Sequence, residues 1–199
     1  MIKTGIYGGS FNPIHNGHIA LARQMLTSAG LDEVWFMVSP QNPFKQTSAD
    51  LLDDAKRLEL TRMALAGDDH LMACDNEYRL PRPSYTWHTL QALSRTYPDR
   101  TFTLLIGADN WLAFDHWHHS TDILSHYSVA IYPRHHSPIN VKALPANVQL
   151  LDAELYDISS SEIRQRVRSG LSITNMVPDL IEEKVVAYYS EDRLSRQLR

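Results

Sequence analysis

A chain of 199 residues with 43% hydrophobic and 21% charged content holds enough apolar material for a sizeable core and too much for a disordered polymer. Its net charge of −4 argues against the overall basic surface expected of a protein that coats nucleic acid and leaves room for a small local basic site. The single cysteine, Cys74, excludes an internal disulfide, and no apolar run nears the roughly 18 residues of a membrane span.

The expectation is one domain over residues 1–199, cytoplasmic, with neither nucleic acid nor membrane as a partner. The start, MIKTGIYGGS, is broken by glycines before any export-type apolar segment forms.

Ile2–Tyr7 reads as the first strand and ends at Gly8-Gly9. Pro13 delays the next helix, which starts near Asn16-Gly17-His18, runs to Ala29 and has Gly30 as its C′ residue. Val34–Val38 is a second strand, followed by a loop from Ser39 to Pro43. A helix is expected over Asp50–Ala66, closed by Gly67, with Leu51, Leu52, Ala55, Leu58 and Leu65 among its apolar positions. Leu71–Cys74 is a short strand, Pro81-Arg82-Pro83 a loop and Ser84–Thr96 a helix. Thr101–Ile106 is a strand ended by a Gly107-Ala108-Asp109 loop. Val129–Tyr132 and Val148–Leu151 are later strands, and helices from about Ser159 and from Pro178 form a C-terminal helical part over about 158–199. Short apolar runs alternating with helical patterns predict an α/β fold around an open, mostly parallel sheet with helices on both faces.

The segment GGSFNPIHNGH, Gly8–His18, stands where such sheets bind ligands, beyond the carboxyl end of a strand. Gly8 and Gly9 let backbone N–H groups approach a phosphate closely, and the helix start near Gly17 adds free N–H groups and a positive dipole end. His15 and His18 supply side-chain donors able to become cationic near neutral pH. There is no Gly-Lys-Ser/Thr and no G-x-G-x-x-G, which excludes two common nucleotide motifs. The second motif, ISSSEIRQRVRSG, Ile158–Gly170, pairs Ser159 with Glu162 in a capping-box pattern. The serine-rich helix start can also receive an anion. Arg164 and Arg168 share one face, and Arg166 points elsewhere into solvent.

Together these two motifs resemble the nucleotidyltransferase superfamily of adenylyltransferases, marked by H-x-G-H (His15 to His18) and a C-terminal I-S-S-T-x-x-R. The closer resemblance is to bacterial nicotinate-nucleotide adenylyltransferases. It is carried also by Gly30–Lys45, Arg82–Leu90, Leu104–Trp111 and the Trp117 region. Ser10, Asn12 and Ser161 stand where that family usually has threonine, aspartate and threonine, and Phe44 stands where many members have histidine.

The resemblance implies a Rossmann-like fold of the nucleotidyltransferase type and transfer of an adenylyl group from ATP to nicotinate mononucleotide, with Mg²⁺ accompanying ATP and no covalent enzyme intermediate. It makes His15, His18 and Arg164 the catalytic residues. Gly8, Gly9, Ser10, Phe11, Gly107, Asp109, Ser159 and Ser160 join them around ATP, with Asp109 on a ribose hydroxyl. Lys45, Tyr85, Thr86 and Trp117 would hold the mononucleotide. No protein metal ligands are implied. Nicotinamide mononucleotide or phosphopantetheine remain alternative acceptors. A nucleotide-binding protein without chemistry, or a zinc site built from His116, His118, His119, His135 and His136, are alternatives of another class. A homo-oligomer is compatible with the sequence, and loop 40–49 is positioned to close over the acceptor.

Overall fold

The structure, a computed structural model, describes residues 1–40 and 50–197. Its strands are β1 (Ile2–Gly9), β2 (Glu33–Val38), β3 (Leu71–Cys74), β4 (Arg100–Gly107), β5 (Ser128–Tyr132) and β6 (Val148–Leu150). They form one sheet in the order β3-β2-β1-β4-β5-β6, and every pairing is parallel. Parallel neighbours need long crossovers. The helices α1 (Asn16–Ser28), α2 (Asp54–Ala64), α3 (Thr86–Thr96), α4 (Ala108–Leu112) and α5 (Ser120–His126) lie within those connections. Two more, α6 (Ser160–Arg168) and α7 (Asp179–Gln197), follow the last strand.

Alternation along the strands sorts apolar side chains into two layers. Tyr7, Val34, Phe36, Leu105 and Ala130 pack with Ala22 and Met25 of α1, Leu58 of α2, Ile163 of α6 and Ile181 and Val185 of α7. Their neighbours Ile6, Trp35, Met37, Leu104 and Ile131 face the other way, against Leu90 and Leu93 of α3 and Ile123 of α5. The sheet is therefore covered on both faces. This is why β2, EVWFMV, is buried at every position instead of alternating. Sequence order along the sheet reverses at the β1–β4 pair, so the connections from these strands diverge and leave a crevice at their carboxyl ends.

Several boundaries depart from the sequence reading. The helix expected over 50–66 begins only at Asp54, because the Asp53 carboxylate caps the backbone N–H groups of Ala55 (3.0 Å) and Lys56 (3.3 Å). Leu52 lies outside it and donates its N–H to Asn12 Oδ1 (3.1 Å). The helix expected from Ser84 starts at Thr86, with Tyr85 as its N-cap. Gly107-Ala108-Asp109 is not a loop: Gly107 ends β4 and caps α4, which begins at Ala108. The helices α4 and α5, of five and seven residues, are too short for an apolar period to register. β1 also runs two residues further than expected, Gly8 and Gly9 pairing with Met37 and Val38.

Candidate functional site

The chain leaving β1 builds the floor of the crevice. A side chain at Gly8 would meet no protein atom, so this backbone is open to an approaching ligand, whereas a Cβ at Gly9 would fall 2.9 Å from the Phe11 ring. Phe11 has φ of 42°, in the left-handed region that bulky residues avoid. Burial holds it there, its ring set edge-on to Tyr7 and His18 and tilted against Phe36. Asn12, also buried, fastens the next turn. Its side-chain oxygen accepts from Leu52 N–H and from Tyr189 Oη (2.6 Å), and its amide donates to the Asp50 carbonyl (2.8 Å). An aspartate here could accept those two bonds but could not donate the third.

His15 and His18 open α1 in an unusual way. His15 is the N-cap, and its Nδ1 accepts the backbone N–H of His18 (3.3 Å), while His18 Nδ1 accepts the backbone N–H of His15 (3.3 Å). Two orphan helix-end donors are thereby satisfied by imidazoles, a role normally taken by Ser, Thr, Asp or Asn with Glu or Gln. With both Nδ1 atoms accepting, the neutral rings carry their protons on Nε2. The rings stack with centroids 3.6 Å apart. Burial, and then the Arg134 charge, push the His15 pKa down from 6.5 to about 4. Burial, His15 and Arg134 hold His18 well below its ordinary value. The expectation of cations near neutral pH is therefore corrected: both histidines are neutral donors.

α6 meets this loop from the far end of the chain. Ser159 caps it by accepting Glu162 N–H (3.1 Å), one half of the capping box expected from sequence. Ser160 Oγ is engaged with the Pro13 carbonyl (2.8 Å), and Arg164 Nη1 donates to the Asn12 carbonyl (2.8 Å). Arg164 Nε is buried without a hydrogen-bond partner, and the Arg164 side chain lines the central cleft. Arg168 pairs with Asp50 (2.9 Å) and Arg166 donates to the Ser172 carbonyl (2.7 Å), so Arg166 is tied to its own C-terminal turn and is not simply solvated.

Three connected recesses run along the carboxyl edge of the sheet. The first is lined by His15, Gly17, His18, Tyr156, Ser159 and Ser160, among others. The central cleft takes in Gly8, Gly9, Ser10, Phe11, His18, Asp109, Ser160, Arg134 and Arg164, and shares Tyr7, His18, Arg134 and Ser160 with the first. The third is lined by Tyr85, Thr86, Trp117, His118 and Glu77 over an apolar floor that includes Ile6 and Leu104, and it shares Gly8, Gly9, Ser39 and Asn110 with the central cleft. Trp117 is half-buried, tilted on Phe114 at 5.2 Å. Gly107 lies beneath Asp109, whose carboxylate a Cβ there would strike. Lys45, and the notion that loop 40–49 closes, fall on residues outside the described ones apart from Pro40.

Three residues of this region were not singled out by their sequence context. Arg134, just past the end of β5, lines the first two recesses and lies 3.7 Å from Asp109 and 5.0 Å above the Tyr132 ring. Its place at a strand's carboxyl end was the available signal. Arg57 is fully buried and donates to backbone carbonyls, those of Ser10 (2.6 Å), Ser39 (2.9 Å), Leu52 (2.9 Å) and Pro40 (3.4 Å). Glu77, also buried, accepts from Ser39 Oγ (2.6 Å) and Thr89 Oγ1 (2.9 Å), and burial raises its pKa. Nothing in sequence spacing marks either one. Among the described residues no three or more His, Cys, Asp or Glu side chains converge as metal ligands, and the zinc alternative has no ligand set there.

A family model described as cytidylyltransferase-like matches residues 6–166. The chain belongs to this family. Among its relatives, a protein of Bacteroides fragilis named "Probable nicotinate-nucleotide adenylyltransferase" is 45% identical, over 92% of this chain and 91% of that protein. A protein of the same name from Bacteroides thetaiotaomicron is 48% identical, over 82% and 81% of the two chains. Among solved structures, the Plasmodium falciparum nicotinic acid mononucleotide adenylyltransferase complexed with NaAD superposes with a TM-score of 0.74 at 19% identity, covering 94% of this chain and 96% of that one. At that identity the match speaks for the fold. Within the family, then, this chain carries a Rossmann-like nucleotidyltransferase sheet.

Proposed function

We propose that the chain transfers the adenylyl group of ATP to nicotinate mononucleotide, releasing pyrophosphate and forming deamido-NAD. The observation that carries this reading is the row of three recesses meeting at the β1 end. Two nucleotides laid end to end bring their phosphates together over Gly8–Asn12, His18 and Arg164. ATP takes the first recess and the central cleft, contacting Gly8, Gly9, Ser10, Phe11, Gly107, Asp109, Ser159 and Ser160. Nicotinate mononucleotide takes the third, where Trp117 stacks on the pyridine ring beside Tyr85 and Thr86, and Lys45 meets its phosphate.

An oxygen of the mononucleotide phosphate attacks the α-phosphorus in line. The new P–O bond forms as the bond to the β-phosphate bridging oxygen breaks, and pyrophosphate leaves with the electron pair. No protein nucleophile takes part, so the residues' work is alignment and charge stabilisation. The Nε2–H groups of His15 and His18 donate to phosphate oxygens, and Arg164 offers its guanidinium charge from the wall of the cleft. Among the described lining residues of the central cleft, Asp109 is the one carboxylate. That donor set fits a Mg²⁺ held mainly by ATP oxygens and water, where it would neutralise β,γ-phosphate charge. Residues 1–199 act as one nucleotidyltransferase domain in the cytoplasm, with no nucleic-acid or membrane partner, and a homo-oligomer is compatible with this arrangement. Among the described residues no helix is long and apolar enough to cross a membrane.

Pyrophosphate release is the test, with ATP and Mg²⁺ and with nicotinate mononucleotide, nicotinamide mononucleotide and phosphopantetheine compared as acceptors. Preference for nicotinate mononucleotide, abolished by a chelator and restored by Mg²⁺, is the expected result. Release with none of the three would refute the reading.

A further inference from the structure

We propose that the His118 imidazole reads the charge of the acceptor's ring substituent, so that preference for a pyridine carboxylate over a carboxamide depends on pH. This rests on the acceptor reading of the third recess. Its described lining contains no lysine and no arginine, and its ionisable side chains are Glu77, Tyr85, Tyr132 and His118. Glu77 and the tyrosines cannot become cations. Glu77 in addition has both oxygens occupied by the Ser39 and Thr89 hydroxyls. Among these residues, a positive charge facing a ring carboxylate can come from His118 alone.

His118 is exposed at the rim of the recess, next in sequence to Trp117. From the α3 side, Tyr85 faces it with ring centroids 4.6 Å apart, and His88 at 5.4 Å. From its own segment His119 lies at 4.2 Å, itself held by Asp122 at 2.6 Å, and Asp115 and His116 precede it in the chain. Partial desolvation, then His119 and His88, lower its pKa, so in the free protein it is mostly neutral at neutral pH. A carboxylate close by favours the protonated ring, whereas a carboxamide offers no comparable charge. Binding of the acidic acceptor therefore takes up a proton at His118, and binding of the amide does not.

The ratio of kcat/KM for nicotinate mononucleotide to that for nicotinamide mononucleotide isolates this effect. The shared phosphate, ATP, Mg²⁺ and transfer chemistry cancel in it, and the ring carboxyl stays ionised above about pH 5.5. From pH 8 to pH 6 the ratio is expected to rise about three- to tenfold, the range given by a shift of roughly one unit on a single group. In His118→Gln the ratio should be lower at pH 6 and flat with pH, while His88→Gln should keep the slope. A flat ratio in the wild type, or an undiminished slope in His118→Gln, overturns the proposal. As a check independent of turnover, the His118 imidazole resonance followed by NMR should titrate at higher pH with nicotinate mononucleotide than with nicotinamide mononucleotide. Equal titration with both would also overturn it. Pyrophosphate release with both acceptors at a constant ratio refutes the role of His118 alone, whereas release with neither refutes the acceptor site itself.

Discussion

The histidine capping pair predicts a specific pH dependence of folding stability. His15 is 5% exposed, and its pKa falls from 6.5 to about 4 on folding, first through burial and then through Arg134. Above pH 6.5 the ring is neutral in both the folded and unfolded chain and contributes no slope. As pH falls below 6.5 the unfolded chain takes up a proton that the folded protein refuses, and stability drops until the folded ring is protonated near pH 4. Each unit is worth about 1.4 kcal/mol, so the full loss is about 3 kcal/mol, a large share of a typical 5–15 kcal/mol. Asparagine at position 15 keeps an N-cap oxygen for the His18 N–H but does not titrate. Urea unfolding of wild type and His15→Asn at pH 7.5, 6.5, 5.5 and 4.5 measures the difference, because titrations of groups remote from position 15 cancel. Relative to the variant, the wild type should lose about 1.4 kcal/mol between pH 7.5 and 5.5, approaching about 3 kcal/mol near pH 4. Parallel stability curves would refute the assignment of a neutral, buried capping imidazole.

Three further substitutions probe the site and its supports. His18→Ala should lower kcat by about 10²–10³-fold, as for loss of one preorganised donor, with the circular dichroism spectrum retained; unchanged turnover removes His18 from the chemistry. Arg57→Met leaves the carbonyls of Ser10, Ser39, Pro40 and Leu52 without that donor and should destabilise by on the order of 3 kcal/mol in urea, and a loss below about 1 kcal/mol would show that the buried cation is dispensable. Glu77→Ala frees the Ser39 and Thr89 hydroxyls beside the third recess and should raise the acceptor KM about tenfold with the ATP KM unchanged; equal changes in both would point to a general loss of packing.

What the sequence made legible follows from how locally each feature is encoded. Strands and long helices were readable because period and punctuation act over a few residues, and Gly30, Gly67 and Gly170 do sit at positive φ near helix ends. The crevice was readable because Gly8–His18 follows the first strand directly. The start of α2 was not, since Leu51 and Leu52 continue the apolar pattern while the Asp53 cap and the Asn12–Leu52 bond decide the boundary. Arg57 and Glu77 stayed hidden for a similar reason. Each looks like an ordinary surface charge in its local sequence, and its burial depends on partners contributed by other elements: Ser10 and Ser39, 47 and 18 residues away, for Arg57, and Ser39, 38 away, for Glu77.

Ser39 also connects the two buried charges. Its carbonyl accepts from Arg57 and its hydroxyl donates to Glu77, so one residue after the end of β2 links the loop that follows β1 to the wall of the third recess. This division of labour bears on why the two histidines are neutral. Cationic imidazoles would attract the phosphates of bound ATP as strongly before transfer as during it, and such uniform binding does not raise kcat. Under the proposed function, ground-state charge is met by the guanidinium groups of Arg134 and Arg164, which line the same cleft. Neutral Nε2–H donors, fixed by backbone bonds to Nδ1, need no reorganisation when charge builds on the transferring group. The lowered histidine pKa values thus follow from burial and the neighbouring Arg134 charge, and under the proposed function the capping geometry suits the neutral donors to a transition state more than to a resting anion.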